Sequence, residues 1–468
     1  MATDTRPSVS DPRTLVTHPE LRSQQSFPTF RTLGEPPKNA VEKALSIFAD
    51  VRAGEGVTVL LMTLNVFLLL GLYYLLKPAR AALILTEGGA EVAVYSSAAQ
   101  AVLLLGFVPA FGWLASRVSR VKLITTTSVF FAANLALFYA FGRAGAREGV
   151  AFFIWLGIFN NFIVAQFWAF ANDIYTEGQG RRLFALIGVG ASIGAWIGAS
   201  AVPPLIKQAG FTPYTLMALG GVLLLVALSI TIIVNARERA RAPKDHAAAA
   251  EAPLGKSGGF ELVRRDRYLL WIAVLTVLLN FVNTTGEYLL GKLVENTARA
   301  MYPAADQIAD SRAFIGSFMG GFYGAVNLLG LVLQLFVTSR VLRYMGVRGA
   351  LFVLPVIALV NYSVIAVAPV LVIVRIGKIL ENSTDYSIQN TLRQALFLPT
   401  TREAKYKAKA AIDTFFARLG DVSAAGVVKV GTSLAIGVTG FGWVMTGVAV
   451  AWLFVAGQIA REHRKRTL

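Results

Sequence analysis

The chain has 468 residues, of which 55% are hydrophobic and 15% charged, with a net charge of +17 and a mean hydropathy of +0.59. A soluble chain carries about a quarter of its residues charged, so the composition excludes an ordinary soluble enzyme and points to lipid. The lack of cysteine excludes disulfides, thiolate metal sites and Cys nucleophiles; His18, His246 and His463 fall in the tails or a linker, away from any intramembrane proton relay.

Residues 1–40 are polar and rich in Pro and Ser. They read as a disordered cytoplasmic N-terminus without a cleavable signal, so the first span is expected to insert the chain. Residues 41–56 read as a lead-in whose Val41, Leu45, Phe48 and Val51 share one side of an amphipathic helix on the inner surface. Apolar runs of about 20 residues then recur, each long enough to cross roughly 30 Å of hydrocarbon. The expected spans are 57–76, 92–115, 123–142, 150–172, 183–206, 214–235, 268–290, 313–338, 347–368, 371–396, 409–434 and 439–460. This predicts an all-α polytopic membrane protein of twelve transmembrane helices.

Residues 236–267, rich in Ala, Lys, Arg, Pro and Gly, read as a cytoplasmic linker between a six-helix bundle at 57–235 and a second at 268–460, with a basic tail at 461–468. The halves repeat features at matching places, such as GWLASRVSRVKLI (112–124) and TSRVLRYMGVRGAL (338–351), which predicts a major-facilitator-like architecture. Lys and Arg concentrate in the even-numbered loops and the C-tail, so both termini are expected in the cytoplasm. That bias explains the basic balance without nucleic acid.

Two apparent nucleotide motifs do not hold. GVGASIG (188–194) lies inside an apolar helix with no preceding strand and reads as a packing ridge of Gly190, Gly194 and Gly198, matched by Gly316, Gly320 and Gly324. A sliding contact between the fifth and eighth helices is the expectation. APLGKS (252–257) has Ala250 where a phosphate loop requires its first Gly.

Charge within the membrane carries the functional signal, because a charged side chain at bilayer depth costs about 3 kcal/mol on insertion scales. On the tenth helix, Arg375, Lys378, Asn382, Asp385, Gln389 and Arg393 follow steps of three and four and share a face, with Glu381 beside them. LLKPARAAL places Lys77 and Arg80 at the end of the first span, and NFVNTTGEYLLGK supplies Asn283, Glu287 and Lys292. Glu381, Asp385, Asp413 and Asp421 are expected to pair with neighbouring cations. Arg80 and Arg393 have no obvious partner and are read as substrate contacts, since Arg suits bidentate capture of phosphate or carboxylate oxygens. An anionic substrate follows.

YYLLKPARAALIL, FWAFANDIYTEGQGRRLFALIGVGASIGA and TDYSIQNTLRQALFLPTTREAKYKAKAAIDTFFARLGD resemble the nucleotide (ATP/ADP) translocases of intracellular bacteria and plastids and their bacterial relatives. The resemblance covers about residues 50 to 460 and implies exchange of adenine nucleotides by alternating access, without hydrolysis. It implies functional roles for Arg80, Glu287 and Arg393, with the basic run Lys405, Lys407 and Lys409 at the cytoplasmic edge. The acidic residue that family members carry about a dozen positions before FWAFAN is Leu156 in this chain.

The expected substrate-binding set is Lys77, Arg80, Asn283, Glu287, Lys378, Asp385 and Arg393, with Arg80 and Arg393 clamping the anion from opposite halves. Phe159 or Trp168 could stack on a base, against a plain core role. A proton-coupled or facilitative carrier of another small molecule, or a non-transporting scaffold or sensor, stays open beside the antiporter. No catalytic residue, metal or cofactor is expected. The partners are a small anionic substrate and the lipid bilayer, in a bacterial inner membrane; the oligomeric state stays open, a monomer being one reading.

Overall fold

The computed structural model describes residues 38–46, 50–115, 117–239, 259–401 and 403–467. Residues 1–37 of the tail expected to be disordered and the core of the expected linker, 240–258, lie outside the described residues. So does Phe48 of the lead-in. Among the described residues before Gly56, the lead-in is helical over α1 (Ala40–Leu45): Asn39 and Glu42 cap it reciprocally, and Glu42 Oε1 then accepts from the Gly54 amide at 2.7 Å. Val41 is exposed, whereas Val51 is fully buried.

Six long helices make the first half: α2 (Gly56–Glu87), α3 (Gly89–Ala115), α4 (Arg120–Arg143), α5 (Gly149–Ile174), α6 (Glu177–Lys207) and α7 (Pro213–Arg239). A short α8 (Gly259–Arg265) precedes the second half, so the segment expected as linker is helical at both of its described edges. The second half has α9 (Arg267–Met301), α10 (Ile308–Val332), α11 (Thr338–Ala350), α12 (Val353–Val367), α13 (Leu371–Thr384), α14 (Asn390–Leu396), α15 (Lys409–Ala411), α16 (Ala417–Ser433) and α17 (Val438–Thr467). π-helical turns at Leu333–Val337, Asp385–Gln389, Ala404–Ala408 and Ile412–Phe416 join several of these pieces into longer helices. The basic tail continues α17, where Arg466 pairs with Asp266 at 2.5 Å.

Among the described residues nine helical stretches are long and apolar enough to cross a membrane. α12 is apolar but shorter, and the two stretches 371–396 and 404–433 carry the intramembrane charges. Helices recur because lipid offers the backbone no hydrogen-bond partner, so each spanning segment must satisfy its own amides. The chain is a multi-pass, all-α membrane protein of the major-facilitator type.

Each half has its own apolar core. One draws on α2 and α4 to α7, the other on α9 to α17, with the C-terminal end of α2 and the N-terminal end of α3 joining the second. Glycine sets the closest crossings. A Cβ on Gly194 would stand 2.2 Å from the Phe67 carbonyl oxygen, and one on Gly198 2.1 Å from that of Gly71. The α6 ridge therefore packs on α2 inside its own half, contrary to the expected α6–α10 role. The α10 ridge does meet α6 across the halves, with Gly320 against Val202 and Gly324 against Ser200.

Candidate functional site

The helix α2 carries Lys77 and Arg80 about one turn apart on either side of Pro78, which withdraws a backbone donor inside the helix. Lys77 is buried, with its Nζ 4.0 Å from the centroid of the Tyr323 ring and 5.5 Å from that of Tyr74. Its charge feels Glu287, Arg80 and Lys378. The Arg80 guanidinium lies 4.1 Å above the Phe153 ring, and its buried Nε has no hydrogen-bond partner among the described residues. A cation held on aromatic faces keeps its hydrogen-bond donors free for a ligand.

Arg80 and Glu287 line one cavity between the halves, walled by α2, α3, Phe153 of α5, α9 and α10. Its volume is about 60 Å³, room for a few waters only. Above it the halves are bolted together at the end opposite the termini. Arg312 of α10 donates to Glu87 at 2.8 Å, to Thr86 at 3.2 Å and to the Tyr214 hydroxyl at 3.0 Å. Lys292 of α9 pairs with Glu91 of α3 at 2.7 Å, and Glu295 accepts from the Ala90 amide at 2.9 Å. The site is closed on that side.

Below the cavity a tyrosine cluster separates it from a second pocket. Tyr74 touches Tyr73 and Tyr323 edge-on, at 5.0 and 6.4 Å between centroids. The second pocket, about 290 Å³, lies between α2 and α6 of one half and α10 and the segment 386–390 of the other.

The expected residues divide into those that reach the interface between halves and those that do not. Lys77, Arg80 and Glu287 gather there. Asn283 lies one turn from Glu287 on the same face of α9, half-buried. Asp385 opens a π-helical turn, half-buried, and feels Arg393, Glu381 and Lys378. Lys378 does not face the cavity. It is fully enclosed, 2.6 Å from Glu381, whose carboxylate also accepts from the Tyr362 hydroxyl at 3.2 Å and from Asn361 at 3.0 Å. That expectation is corrected: a cation so satisfied is internal glue.

Arg393 is also corrected. It pairs with Asp413 at 2.5 Å, within its own half. Arg80 is near the C-terminal end of α2, the end away from the chain termini, and Arg393 is near the other end of the bundle, so the two stand roughly 20 Å apart along its axis. They cannot grip one anionic group together in this structure. Asp421 is paired as expected, with Arg418 at 2.9 Å and Thr284 at 2.7 Å. Phe159 is fully buried and stacked on Trp155 at 5.3 Å, a core role. Sequence reasoning missed the tyrosine cluster and the Glu87–Arg312 bolt; the Tyr73-Tyr74 pair just before KPAR was the available signal.

Residues 151–463 match the family model described as TLC ATP/ADP transporter. The chain is similar to ADP,ATP carrier protein 1 of Chlamydia muridarum, with 26% identity over 54% of this chain and 53% of that protein. It is also similar to ADP,ATP carrier protein 5 of Rickettsia conorii, with 24% identity over 65% of this chain and 68% of that protein. The chain thus spans about half the length of the Chlamydia muridarum relative. Among solved structures, the nucleoside transporter NupG superposes with a TM-score of 0.61 at 14% identity, over 86% of this chain and 98% of that one. A bacterial homologue of the iron transporter ferroportin in an inward-facing state gives 0.61 at 13% identity, over 87% and 98%. These likenesses show the fold.

Proposed function

Since this chain belongs to the TLC ATP/ADP transporter family, we propose that it exchanges nucleotides of the ATP/ADP type, or a related phosphorylated anion, by alternating access. One observation carries the reading: Arg80 of one half and Glu287 of the other line a cavity closed at one end, with Lys77 next to it on the ring of Tyr323, another of its walls. Phosphate oxygens would take the free donors of Arg80 and the ammonium of Lys77. Glu287, which makes no direct ion pair among the described residues, would hold these cations by its field when the site is empty. Closing the bilayer around such a site and opening it to either side in turn is how six-plus-six repeats transport.

The concentration of Lys and Arg in the even loops supports cytoplasmic termini, in a bacterial inner membrane. The end bolted by Glu87 and Arg312 then faces outside. Asn283 and Asp385 would line the approach as polar neighbours of the site, while Lys378 and Arg393 pair within their own half. The chemistry is binding and release with no bond made or broken.

The test is uptake of labelled ATP by proteoliposomes preloaded with ADP. Arg80→Ala removes hydrogen bonds to a charged group, each worth about 1.5–3 kcal/mol, so exchange is expected to fall at least tenfold while the protein inserts and stays folded. Wild-type exchange by Arg80→Ala overturns the assignment. The unpaired carboxylate of Glu287 favours one second reading, a proton-coupled carrier of another small molecule. Uptake into empty vesicles driven by an imposed pH gradient, with no nucleotide inside, would select it.

A further inference from the structure

We propose that the groove between α6, α10 and α13, at the end of the bundle that Arg312 bolts, binds an anionic glycerophospholipid whose phosphate takes Arg375. Pro203 and Lys207 of α6, Phe314 and Phe318 of α10 and Arg375 of α13 line it, and its volume is about 590 Å³. It opens to lipid, not to the cavity of Arg80 and Glu287. Asp310, Phe314, Ser317 and Gly321 line the groove from one face of α10, and the same face continues into Leu328 and Val332, both exposed apolar side chains. Met319 and Tyr323 look into the cavity from the opposite side of that helix. On α13, Val372, Ile373 and Ile376 around Arg375 are exposed as well. The site is independent of what the protein carries.

Arg375 begins the polar face of the tenth span, yet neither the cavity nor the internal ion pairs use it. Its guanidinium lies 4.8 Å from the centroid of the Phe318 ring and reaches over Gly321, where a Cβ would stand 3.1 Å from Nη2. Its Nε is buried with no hydrogen-bond partner, and the side chain makes no ion pair among the described residues. An arginine near a helix end usually extends to water. This one is folded onto α10 instead, held by an aromatic face that leaves its donors free. A charge within a membrane is normally kept where it meets a partner. In a groove that faces lipid, the available partner is a phospholipid phosphate, which matches the guanidinium fork.

Depth and charge agree with that ligand. Arg375 stands about 6 Å along the axis from the first residue of α13, near the boundary of headgroups and acyl chains in that leaflet. Lys207, the last residue of α6, and Asp310, in the first turn of α10, form an exposed polar rim. Two cations against one carboxylate leave the groove net positive, which favours an anionic lipid over a zwitterionic one. Asp310 can accept from the hydroxyls of a glycerol headgroup, and the apolar stripe through Leu328 and Val332 gives an acyl chain its track. Lys207 belongs to one half and Arg375 to the other, so a lipid seated here touches both and steadies the end that Arg312 closes.

The experiment uses the full chain, delipidated in detergent, with phosphatidylglycerol, phosphatidylcholine or acyl-free glycerol phosphate added in turn. Native mass spectrometry counts the retained lipid, and the melting temperature is read alongside. Phosphatidylglycerol is expected to be retained and to raise the melting temperature, phosphatidylcholine to do so less, and glycerol phosphate to do neither. Arg375→Gln removes hydrogen bonds to a charged group and is expected to weaken retention of phosphatidylglycerol about tenfold or more. Lys207→Gln, at the exposed rim, is expected to weaken it to a smaller extent. The melting temperature without lipid checks that each variant is folded. Wild-type retention by folded Arg375→Gln, equal retention of the two lipids, or displacement of the lipid by glycerol phosphate overturns the site. If Arg375→Gln does not fold, Lys207→Gln and Gly321→Leu, which fills the groove beside the guanidinium, decide the matter: wild-type retention in both overturns it.

Discussion

Arg393 shows how a residue's periodicity can be right without naming the partner it meets. Steps of three and four place it on the polar face with Asp385, yet the face turns toward Asp413, 20 residues further along a chain that doubles back. The pair is a quarter to a third exposed, with 25% of the Arg393 and 34% of the Asp413 side chain accessible. Solvent screening keeps such a pair to about 1 kcal/mol or less. If pairing is its role, Arg393→Asp combined with Asp413→Arg is expected to recover most of the exchange that either single change loses. A swap as inactive as the singles would place Arg393 on the substrate. Lys378 makes the same point more strongly: its polar face was legible, but Asn361 and Tyr362, which complete its surroundings, come from another helix and leave no mark in the local spacing.

At the scale of helices, most of the architecture was legible because hydropathy and helix length are set by the same bilayer thickness. Nine helical stretches among the described residues are long and apolar enough to cross a membrane, the expected span 347–368 straddles the turn between α11 and α12, and the ridge reading missed which helix the ridge faces. Gly190, Gly194 and Gly198 predicted close packing correctly and the partner incorrectly, since small residues state how near a neighbour comes and not which one it is. The distinction has a measurable consequence. Gly194→Val forces a side chain into the α2 backbone at Phe67 inside one half. It is expected to lower stability by roughly 1–3 kcal/mol, the usual range for overpacking, seen as a drop in melting temperature. Gly320→Val meets the Val202 side chain and the Ala199 carbonyl across the halves. There the expected outcome is slowed exchange with a near-wild-type melting temperature, because α10 must slide on α6 for the halves to rock. Equal destabilisation by both variants would remove the sliding contact from the account. The π-helical turns were invisible in the sequence, for a π turn leaves the apolar pattern almost unchanged.

Across the whole molecule, alternating access requires the end bolted by Glu87 and Arg312 to open, and on that reading their network is expected to set the balance between closed and open forms. Glu148, in the loop before α5, belongs to it. Burial first, and the charge of Glu87 second, push its carboxyl up to about 7. Its Oε2 is buried with no hydrogen-bond partner among the described residues. Tyr214 of α7, Glu87 of α2 and Arg312 of α10 are the polar and charged groups around it, Arg312 through its bonds to the first two. Opening the outer end would hydrate Glu148 and return it toward the ordinary carboxylate range. The closed form therefore binds a proton that the open form releases, so acid favours closure and the advantage is lost as pH rises through about 7. Exchange that requires outer opening is expected to be slower at external pH 6 than at pH 8. Glu148→Gln, neutral at both, is expected to flatten that dependence near the acid limb of the wild type. Comparing the variant with wild type on the same substrate cancels protonation of the nucleotide itself, so an unchanged pH profile in Glu148→Gln would remove Glu148 from the latch.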